Sequence, residues 1–264
     1  MTRVSLKGYP TSFHGRWPLR EVIPPHDPFF ARSALIVSPH ADDETLGCGG
    51  TIIRKRAAAA RVQIAYMTDS GGLDNDRKLK AIRREEALQA CAKLGVQASD
   101  VHFLDFADGG LSSSIAAAKQ RLNQILHSFR PEQVYMPYRR DGHSDHEATF
   151  NAAFAACREW GAPVTIYEYV VWGLYHWPWY SLPLTRDYAR RALATNTLKS
   201  ALGLRLAVAY SRAVSVEVAS VRTPKVEALH SHDSQMAALG GVGKGEFMRV
   251  HLSDYETFRR TRLP

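Results

Sequence analysis

The sequence has little of what marks secreted or membrane-spanning proteins. It contains 3 cysteines in 264 residues, at positions 48, 91 and 157, and their spacing matches no paired-cysteine metal motif. All three lie in alanine-rich or glycine-rich segments, which predicts buried free thiols and favours a reducing compartment. The first 30 residues lack an apolar signal-peptide core, and no apolar run approaches the roughly 18 residues of a membrane span. We therefore expect a cytoplasmic protein without an integral membrane segment.

A dense block of basic residues is also absent. The formal net charge is +8, yet the lysines and arginines are scattered in short groups such as residues 54–56 and 139–140. This distribution argues against nucleic acid as a partner. The basic surface favours a small-molecule partner that is anionic, for example a phosphorylated, lipid-linked or acidic sugar. Neutral oligosaccharides and antibiotics stay open as substrates, and the sequence predicts no particular oligomeric state.

Short apolar runs alternate with helical segments through the middle of the chain. The predicted strands are residues 34–37, 62–68, 101–106, 133–137 and 164–172, and the predicted helices are residues 46–60, 77–94, 115–129 and 147–160. Repeated strand-then-helix units predict a mostly parallel sheet with right-handed crossovers. The expected fold class is therefore α/β, a Rossmann-like three-layer αβα sandwich with an irregular, aromatic-rich C-terminal part.

The two ends of the chain are less regular. Proline-rich residues 1–32 predict an N-terminal arm, and residues 33–264 predict one domain whose most variable part is 173–212. Residues 167–180 are dense in aromatic side chains, which favours ordinary core packing over stacking on sugar rings. The alternation at 213–218 predicts a strand at a sheet edge, and residues 222–239 predict a late helix.

One histidine and three carboxylates follow the first predicted strand. Ligands bind at the carboxyl ends of strands in open α/β sheets. His40 and Asp43 are three residues apart, so both side chains can converge on one point, where nitrogen and oxygen donors suit a divalent metal. Asp42 is then free to act as a general base beside a water molecule. The alternative is a set of acids that complements a helix dipole.

A second polar cluster follows the fourth predicted strand. It contains Asp141, His143, Asp145 and His146 and faces the same crevice as the first cluster. One of its two histidines would complete a His-Asp-His set and leave a fourth position for water, as in catalytic zinc sites. Taken alone, the segment could also be a helix cap with a surface histidine. Two such clusters at two strand ends make that interpretation weaker.

The two clusters together resemble a known family. Residues 39–44, Pro-His-Ala-Asp-Asp-Glu, and residues 143–146, His-Ser-Asp-His, are similar to motifs of the PIG-L / LmbE-like family of zinc-dependent N-deacetylases, which act on N-acetylglucosamine-type groups. The resemblance spans roughly residues 33–239 and includes a late segment at 225–235. It implies that His40, Asp43 and His146 hold Zn²⁺, although Fe²⁺ and Co²⁺ also suit this donor set.

The resemblance also implies roles for the other polar residues. Asp42 would be the general base, His143 would stabilise the oxyanion or protonate the leaving amine, and Asp145 would orient a histidine. Arg83 and Asp108 are candidate substrate contacts, but Arg83 could equally be an exposed helix arginine near Glu86, and Asp108 a turn acid before Gly109. Asp141 is a third candidate contact, at a position where some relatives carry a tyrosine.

The expected function is removal of an acetyl group from an N-acetylated amino sugar or sugar conjugate, giving acetate and a free amine. One alternative is an amidase that uses the same site on a larger N-acyl or thiol-sugar conjugate. A non-enzymatic alternative is a metal-containing sugar-binding protein. That alternative requires a closed site with four ligands, whereas this sequence places an extra acid in the position of a base.

Overall fold

The computed structural model describes residues 21–72, 76–172, 213–239, 241–242 and 245–264. The variable stretch 173–212 and most of the predicted aromatic run therefore lie outside the described residues. So do residues 1–20 of the predicted N-terminal arm. The rest of that arm, residues 21–32, contributes a short strand to the sheet and buries Phe29 and Phe30 in the core.

The described residues form one sheet of eight strands. The strands are β1 (Glu21–Ile23), β2 (Ala34–Ser38), β3 (Val62–Thr68), β4 (Val101–Phe106), β5 (Gln133–Pro137), β6 (Val164–Tyr169), β7 (Val214–Glu217) and β8 (Tyr255–Leu263). Their order is β1-β7-β8-β6-β5-β2-β3-β4. Strands β4, β3, β2, β5 and β6 are parallel neighbours, so the predicted parallel sheet is confirmed.

The C-terminal side of the sheet differs from the prediction. Strand β8, which the sequence analysis does not assign, lies between β6 and β7 and is antiparallel to both. Strand β7 also pairs with β1, so its predicted edge position is wrong. Strand β8 is hard to recognise because only part of it alternates: Glu256 and Phe258 are buried, and the following residues are mostly basic.

Helices cover both faces of the sheet. They are α1 (Asp43–Ala57), α2 (Arg77–Lys93), α3 (Ile115–Phe129), α4 (Ser144–Trp160), α5 (Arg222–Leu229), α6 (Asp233–Ala238) and α7 (Gly245–His251). Alternate strand residues enter two separate cores: Ile36 packs with α1, α2 and α5, whereas Leu35 and Val37 pack with α3 and α4. This arrangement confirms the three-layer αβα architecture. The predicted helix at 222–239 is broken into α5 and α6.

The three cysteines are free and buried, as predicted. Across the described residues, the helices are too short or too polar to traverse a lipid bilayer.

A buried ion pair ties the C-terminal strand to helix α1. Lys225 on α5 donates to Glu256 on β8 at 2.8 Å and to the backbone oxygens of Leu46 and His251 at 3.0 and 2.7 Å. Glu256 accepts the backbone N–H groups of Gly50 and Thr51 at 2.7 and 2.8 Å. The polar atoms of both charged side chains therefore have partners, as a buried ion pair requires.

Replacement of Glu256 tests this connection. Glu256→Gln leaves the Lys225 ammonium buried without a counter-charge, so we expect a loss of about 3 kcal/mol in the free energy of unfolding, measured by urea denaturation. Glu21→Gln is the matched control. Its partner Arg260 is also on β8, but Glu21 is 52% exposed, and we expect a change below about 1 kcal/mol. Equal effects of the two substitutions would contradict the assignment.

Candidate metal centre

The two predicted clusters meet at the carboxyl ends of β2 and β5. These strands are parallel neighbours, so the loops that follow them lie side by side. The first loop leads into α1 and carries His40 and Asp42. The second leads into α4 and carries Asp141 and His143. The sheet order therefore brings together residues that are about 100 positions apart in the chain.

Asp42 has a strained backbone. Its φ is 133°, a region that residues other than glycine rarely adopt and that costs of order 1–3 kcal/mol. Its backbone oxygen accepts the N–H groups of Thr45 and Leu46 at 3.0 and 2.9 Å, and its own N–H donates to Glu44 Oε2 at 3.0 Å. These hydrogen bonds fix the turn at the start of α1, from which Asp42 and Asp43 both project.

The three predicted metal ligands lie close together, and both histidines face one carboxylate oxygen of Asp43. Asp43 Oδ2 lies 3.1 Å from His40 Nδ1 and 3.2 Å from His146 Nε2. Their donor atoms all lie within 4.8 Å of one another. Tetrahedral ligands at about 2.1 Å from a zinc ion are separated by roughly 3.4 Å. The spacing is therefore close to that of a preformed metal site.

The other nitrogen of each histidine faces a second carboxylate. His146 Nδ1 donates to Asp141 Oδ2 at 2.7 Å, and His40 Nε2 lies 3.3 Å from both Asp145 and Asp108. Histidines that bind metals usually donate their second N–H in this way. His146 Nε2 is buried, and its contact with Asp43 Oδ2 at 3.2 Å is not a well-formed hydrogen bond, so the two atoms are placed to share a cation. These contacts fit a divalent metal between His40, Asp43 and His146.

The outer carboxylates are themselves anchored by backbone N–H groups. Asp145, which the sequence analysis assigns to orient a histidine, accepts the N–H groups of Gly109 and Leu111 at 2.7 and 3.2 Å. Asp141 is fully buried and accepts the N–H groups of Val171 and Trp172, each at 3.1 Å. Asp141 is predicted from the sequence to be a substrate contact. Its burial and its hydrogen bonds instead suit orientation of His146.

His143 lies beside the three ligand residues. Its ring centroid is 5.0 Å from that of His40 and 5.1 Å from that of His146. Its Nδ1 accepts the backbone N–H of Asp145 at 3.3 Å, which leaves Nε2–H as a hydrogen-bond donor. Burial, followed by the positive charges of His40 and His146, lowers the pKa of His143 below its usual value. His143 therefore suits the role of a neutral donor.

The pKa values of the adjacent acids Asp42 and Asp43 are shifted in opposite directions. Burial, followed by the charge of Asp43, raises the pKa of Asp42 well above its usual value. Burial also acts to raise the pKa of Asp43, but the contacts with His146 and His40 outweigh it and lower that pKa. Two neighbouring acids whose pKa values differ in this way suit different roles. Asp43 suits a charged ligand, and Asp42 suits a group that takes up a proton.

The two predicted substrate contacts outside the loops, Asp108 and Arg83, each form a hydrogen bond with residues 70–72. Asp108 Oδ2 accepts the Gly72 N–H at 2.9 Å, and its other oxygen faces His40. Burial alone would raise the pKa of Asp108. The interactions with His40 outweigh burial and lower this pKa to about 2. Arg83 donates to the Ser70 carbonyl at 2.8 Å and lines a cavity of about 460 Å³ with three other basic side chains of α2.

Two residues beside the site have no clear role in the sequence analysis. Neither Glu44, the last acid of the first motif, nor His232 is assigned a role from the sequence. In the structure both side chains are fully buried, and His232 Nε2 lies 3.1 Å from Glu44 Oε1. The one sequence signal for His232 is its place in residues 225–235, the late family-like segment.

Comparison with known proteins identifies the family. Residues 35–157 match the PIG-L family model, described as GlcNAc-PI de-N-acetylase. The uncharacterized deacetylase YaiS of Escherichia coli K12 is 31% identical over an alignment of 132 positions that covers 48% of this chain and 69% of that protein. The chain belongs to the PIG-L family. This assignment confirms the resemblance carried by the two motifs and, with it, the expected class of enzyme, a deacetylase.

Other PIG-L relatives are named for particular sugars. A 1D-myo-inositol 2-acetamido-2-deoxy-alpha-D-glucopyranoside deacetylase of Mycobacterium sp. (strain KMS) is 32% identical over 161 residues, covering 49% of this chain and 52% of that protein. The diacetylchitobiose deacetylase of Thermococcus kodakarensis is 31% identical over 123 residues, covering 44% and 45%. The chain thus spans about half the length of these two relatives.

Solved structures support the fold. The A40926 pseudoaglycone deacetylase Dbv21 has a TM-score of 0.64 at 19% identity and covers 89% of this chain and 99% of its own. The zinc inhibited form of teicoplanin deacetylase Orf2 has a TM-score of 0.63 at 20% identity, with 87% and 98% covered. These likenesses confirm the α/β architecture of the PIG-L chain.

Loss of the Asp141 carboxylate tests the metal centre. Asp141→Asn weakens the hydrogen bond that orients His146, so we expect zinc affinity to fall by about 10–100-fold, measured by competition with a chromophoric chelator. His146→Ala should abolish tight binding. Asp105→Asn, at an exposed acid on β4, is the control and should bind like the wild type. Wild-type zinc affinity in Asp141→Asn would contradict the proposed orientation.

Proposed function

We propose that this PIG-L protein hydrolyses the acetamide group of an N-acetylated amino sugar or sugar conjugate, releasing acetate and a free amine. The observation that carries the proposal is the placement of a buried acid, Asp42, next to the three-ligand cluster of His40, Asp43 and His146. The names of the relatives, which include deacetylases of N-acetylated sugars, support the same class of reaction. We also propose that residues 33–264 act as one domain, because β8 pairs with β6 and β7 in the same sheet.

The metal would be held by His40, Asp43 and His146. We propose Zn²⁺ as the native ion, and Fe²⁺ or Co²⁺ would suit the same nitrogen and oxygen donors. When bound, a divalent metal supplies a Lewis acid that polarises a carbonyl group and lowers the pKa of water. Asp141 and Asp145 orient the two histidines through their outer nitrogens, so that the inner nitrogens face Asp43.

Asp42 is the proposed general base. It accepts a proton from the attacking water, whose oxygen forms a bond to the acetyl carbon while the carbonyl π electrons move onto oxygen. Its raised pKa suits this step, because a carboxylate with a higher pKa takes up the proton of water more readily. When the C–N bond breaks, Asp42 returns the proton to the amine nitrogen. The products ionise to acetate and an ammonium group.

His143 is the proposed oxyanion donor. Its Nδ1 is occupied by the Asp145 N–H, so its Nε2–H is the group that can face the developing negative charge. A donor placed before the reaction stabilises the charged transition state more than the neutral amide. The lowered pKa of His143 keeps the ring neutral near pH 7, so its donation of a hydrogen bond does not depend on gain of a proton.

The substrate is proposed to be an amino sugar bound between residues 70–72 and the metal centre. Asp108 is 14% exposed and presents a carboxylate to sugar hydroxyl groups, beside the ring of His40. Arg83 is close enough to lower the pKa of Asp108, and it lines a cavity next to Ser70 that has four basic and two acidic side chains. Arg83 and the net charge of +8 support an anionic sugar conjugate over a neutral one.

The test combines a substrate panel with one substitution. Amine release is measured on neutral and phosphorylated N-acetylated sugars and on N-acetylglucosaminyl-inositol. Asp42→Asn should keep its metal but lose about 10²–10⁴-fold in kcat, because the water loses its base. Glu159→Gln, at an exposed acid on α4 that pairs with Lys119, should retain wild-type kcat. Near wild-type turnover in Asp42→Asn would remove the base assignment, and sugar binding without amine release by the wild type would favour a binding protein instead.

A further inference from the structure

Helix α1 begins with a second buried acid that the catalytic steps above do not use. Glu44 is completely buried, and so is His232, whose Nε2 lies 3.1 Å from Glu44 Oε1. The two residues are 188 positions apart in the chain. Burial of an ionisable pair has a desolvation cost that its mutual attraction often fails to offset. Stabilisation of the fold is therefore a weak explanation for this pair.

Glu44 contacts the backbone of the proposed base directly. Its Oε2 accepts the Asp42 N–H at 3.0 Å, while its Oε1 accepts the Thr45 hydroxyl and faces His232. Asp42 is the residue whose φ of 133° is unfavourable for a side chain that carries a Cβ atom. A strained residue persists only where its surroundings determine its conformation. Glu44 is the side chain that supplies this constraint at the Asp42 N–H.

His232 is in turn fixed by the segment between α5 and α6. Its backbone oxygen accepts the N–H of Met236 at 2.8 Å. Two residues later, the N–H and hydroxyl of Ser234 donate to Glu86 on α2 at 2.9 and 2.7 Å. The imidazole of His232 is therefore placed by two helices that lie outside the metal loops. Through Glu44 it connects those helices to Asp42.

We propose that Glu44 and His232 form a positioning pair that holds Asp42 in the conformation needed for proton transfer. The inference rests on the proposed role of Asp42 as base. Neither residue of the pair contacts the reacting atoms in this account. The pair acts through the backbone of Asp42, so its loss should affect the rate of the chemical step more than the binding of metal or substrate.

Kinetics separate a positioning role from a merely structural one. His232→Gln and Glu44→Ala should each lower kcat by about 10–100-fold, because small misplacements of a catalytic group have effects of this size. KM and bound metal should stay within about threefold of wild type, since the ligand residues are intact. The kcat of the double variant should be no lower than that of the more impaired single variant, since both substitutions remove one coupled contact. Glu44→Gln retains an acceptor for the Asp42 N–H and should recover part of the rate.

His230→Gln is the matched control. It makes the same chemical change two residues earlier, at an exposed position, and should behave as wild type. If His232→Gln and Glu44→Ala retain wild-type kcat in an enzyme that is active, the inference is wrong while the proposed function stands. Parallel losses of metal and thermal stability that account for the lower rate would likewise overturn it.

A spectroscopic measurement decides the inference independently of activity. In protein labelled with ¹⁵N-aspartate, the Asp42 amide signal is assigned by its loss in Asp42→Asn. A hydrogen bond to a buried carboxylate should place the proton of this amide downfield. The signal should move upfield in His232→Gln and Glu44→Ala and stay in place in His230→Gln. An unchanged signal in both variants overturns the inference, even if the wild type releases no amine and the proposed function fails.

Discussion

One carboxylate oxygen of Asp43 faces two histidines at once, 3.1 Å from His40 Nδ1 and 3.2 Å from His146 Nε2. The close approach of three such groups requires that each be oriented from outside. Asp141 orients His146, and Asp145 and Asp108 face the outer nitrogen of His40. A cation among the three inner atoms would satisfy the lone pair of His146 Nε2. The three ligand side chains are therefore already oriented for a metal ion in the metal-free protein.

The fold supplies this orientation through its topology. Strands β2 and β5 are adjacent and parallel, so one loop brings His40 and Asp43 and the other brings His146. Helix α1, which begins at Asp43, is anchored farther along by the buried pair of Lys225 and Glu256. The same elements thus bury the core and hold helix α1 in place behind the metal loops. The proposed function therefore depends partly on contacts outside the two metal loops, such as that between Lys225 and Glu256.

The parts of this structure that could be predicted from sequence are those with local signals. The central strands are apolar runs buried on both faces, and the two metal loops are polar runs directly after such strands. Strand β8 escaped prediction because its residues beyond Phe258 are mostly charged and its neighbours are distant in the chain. The burial of Asp141 and the pairing of Glu44 with His232 depend on tertiary contacts, which no local pattern of residues encodes.

The central claim is that His40, Asp43 and His146 bind one metal ion on which amide hydrolysis depends. Titration of the metal-free protein with zinc, with bound metal and amine release followed together, tests it most directly. The account predicts that amine release rises in proportion to bound zinc and reaches its maximum at one ion per chain, and that His146→Ala neither binds zinc tightly nor releases amine. Full amine release by the metal-free protein, or by His146→Ala without bound metal, would contradict it.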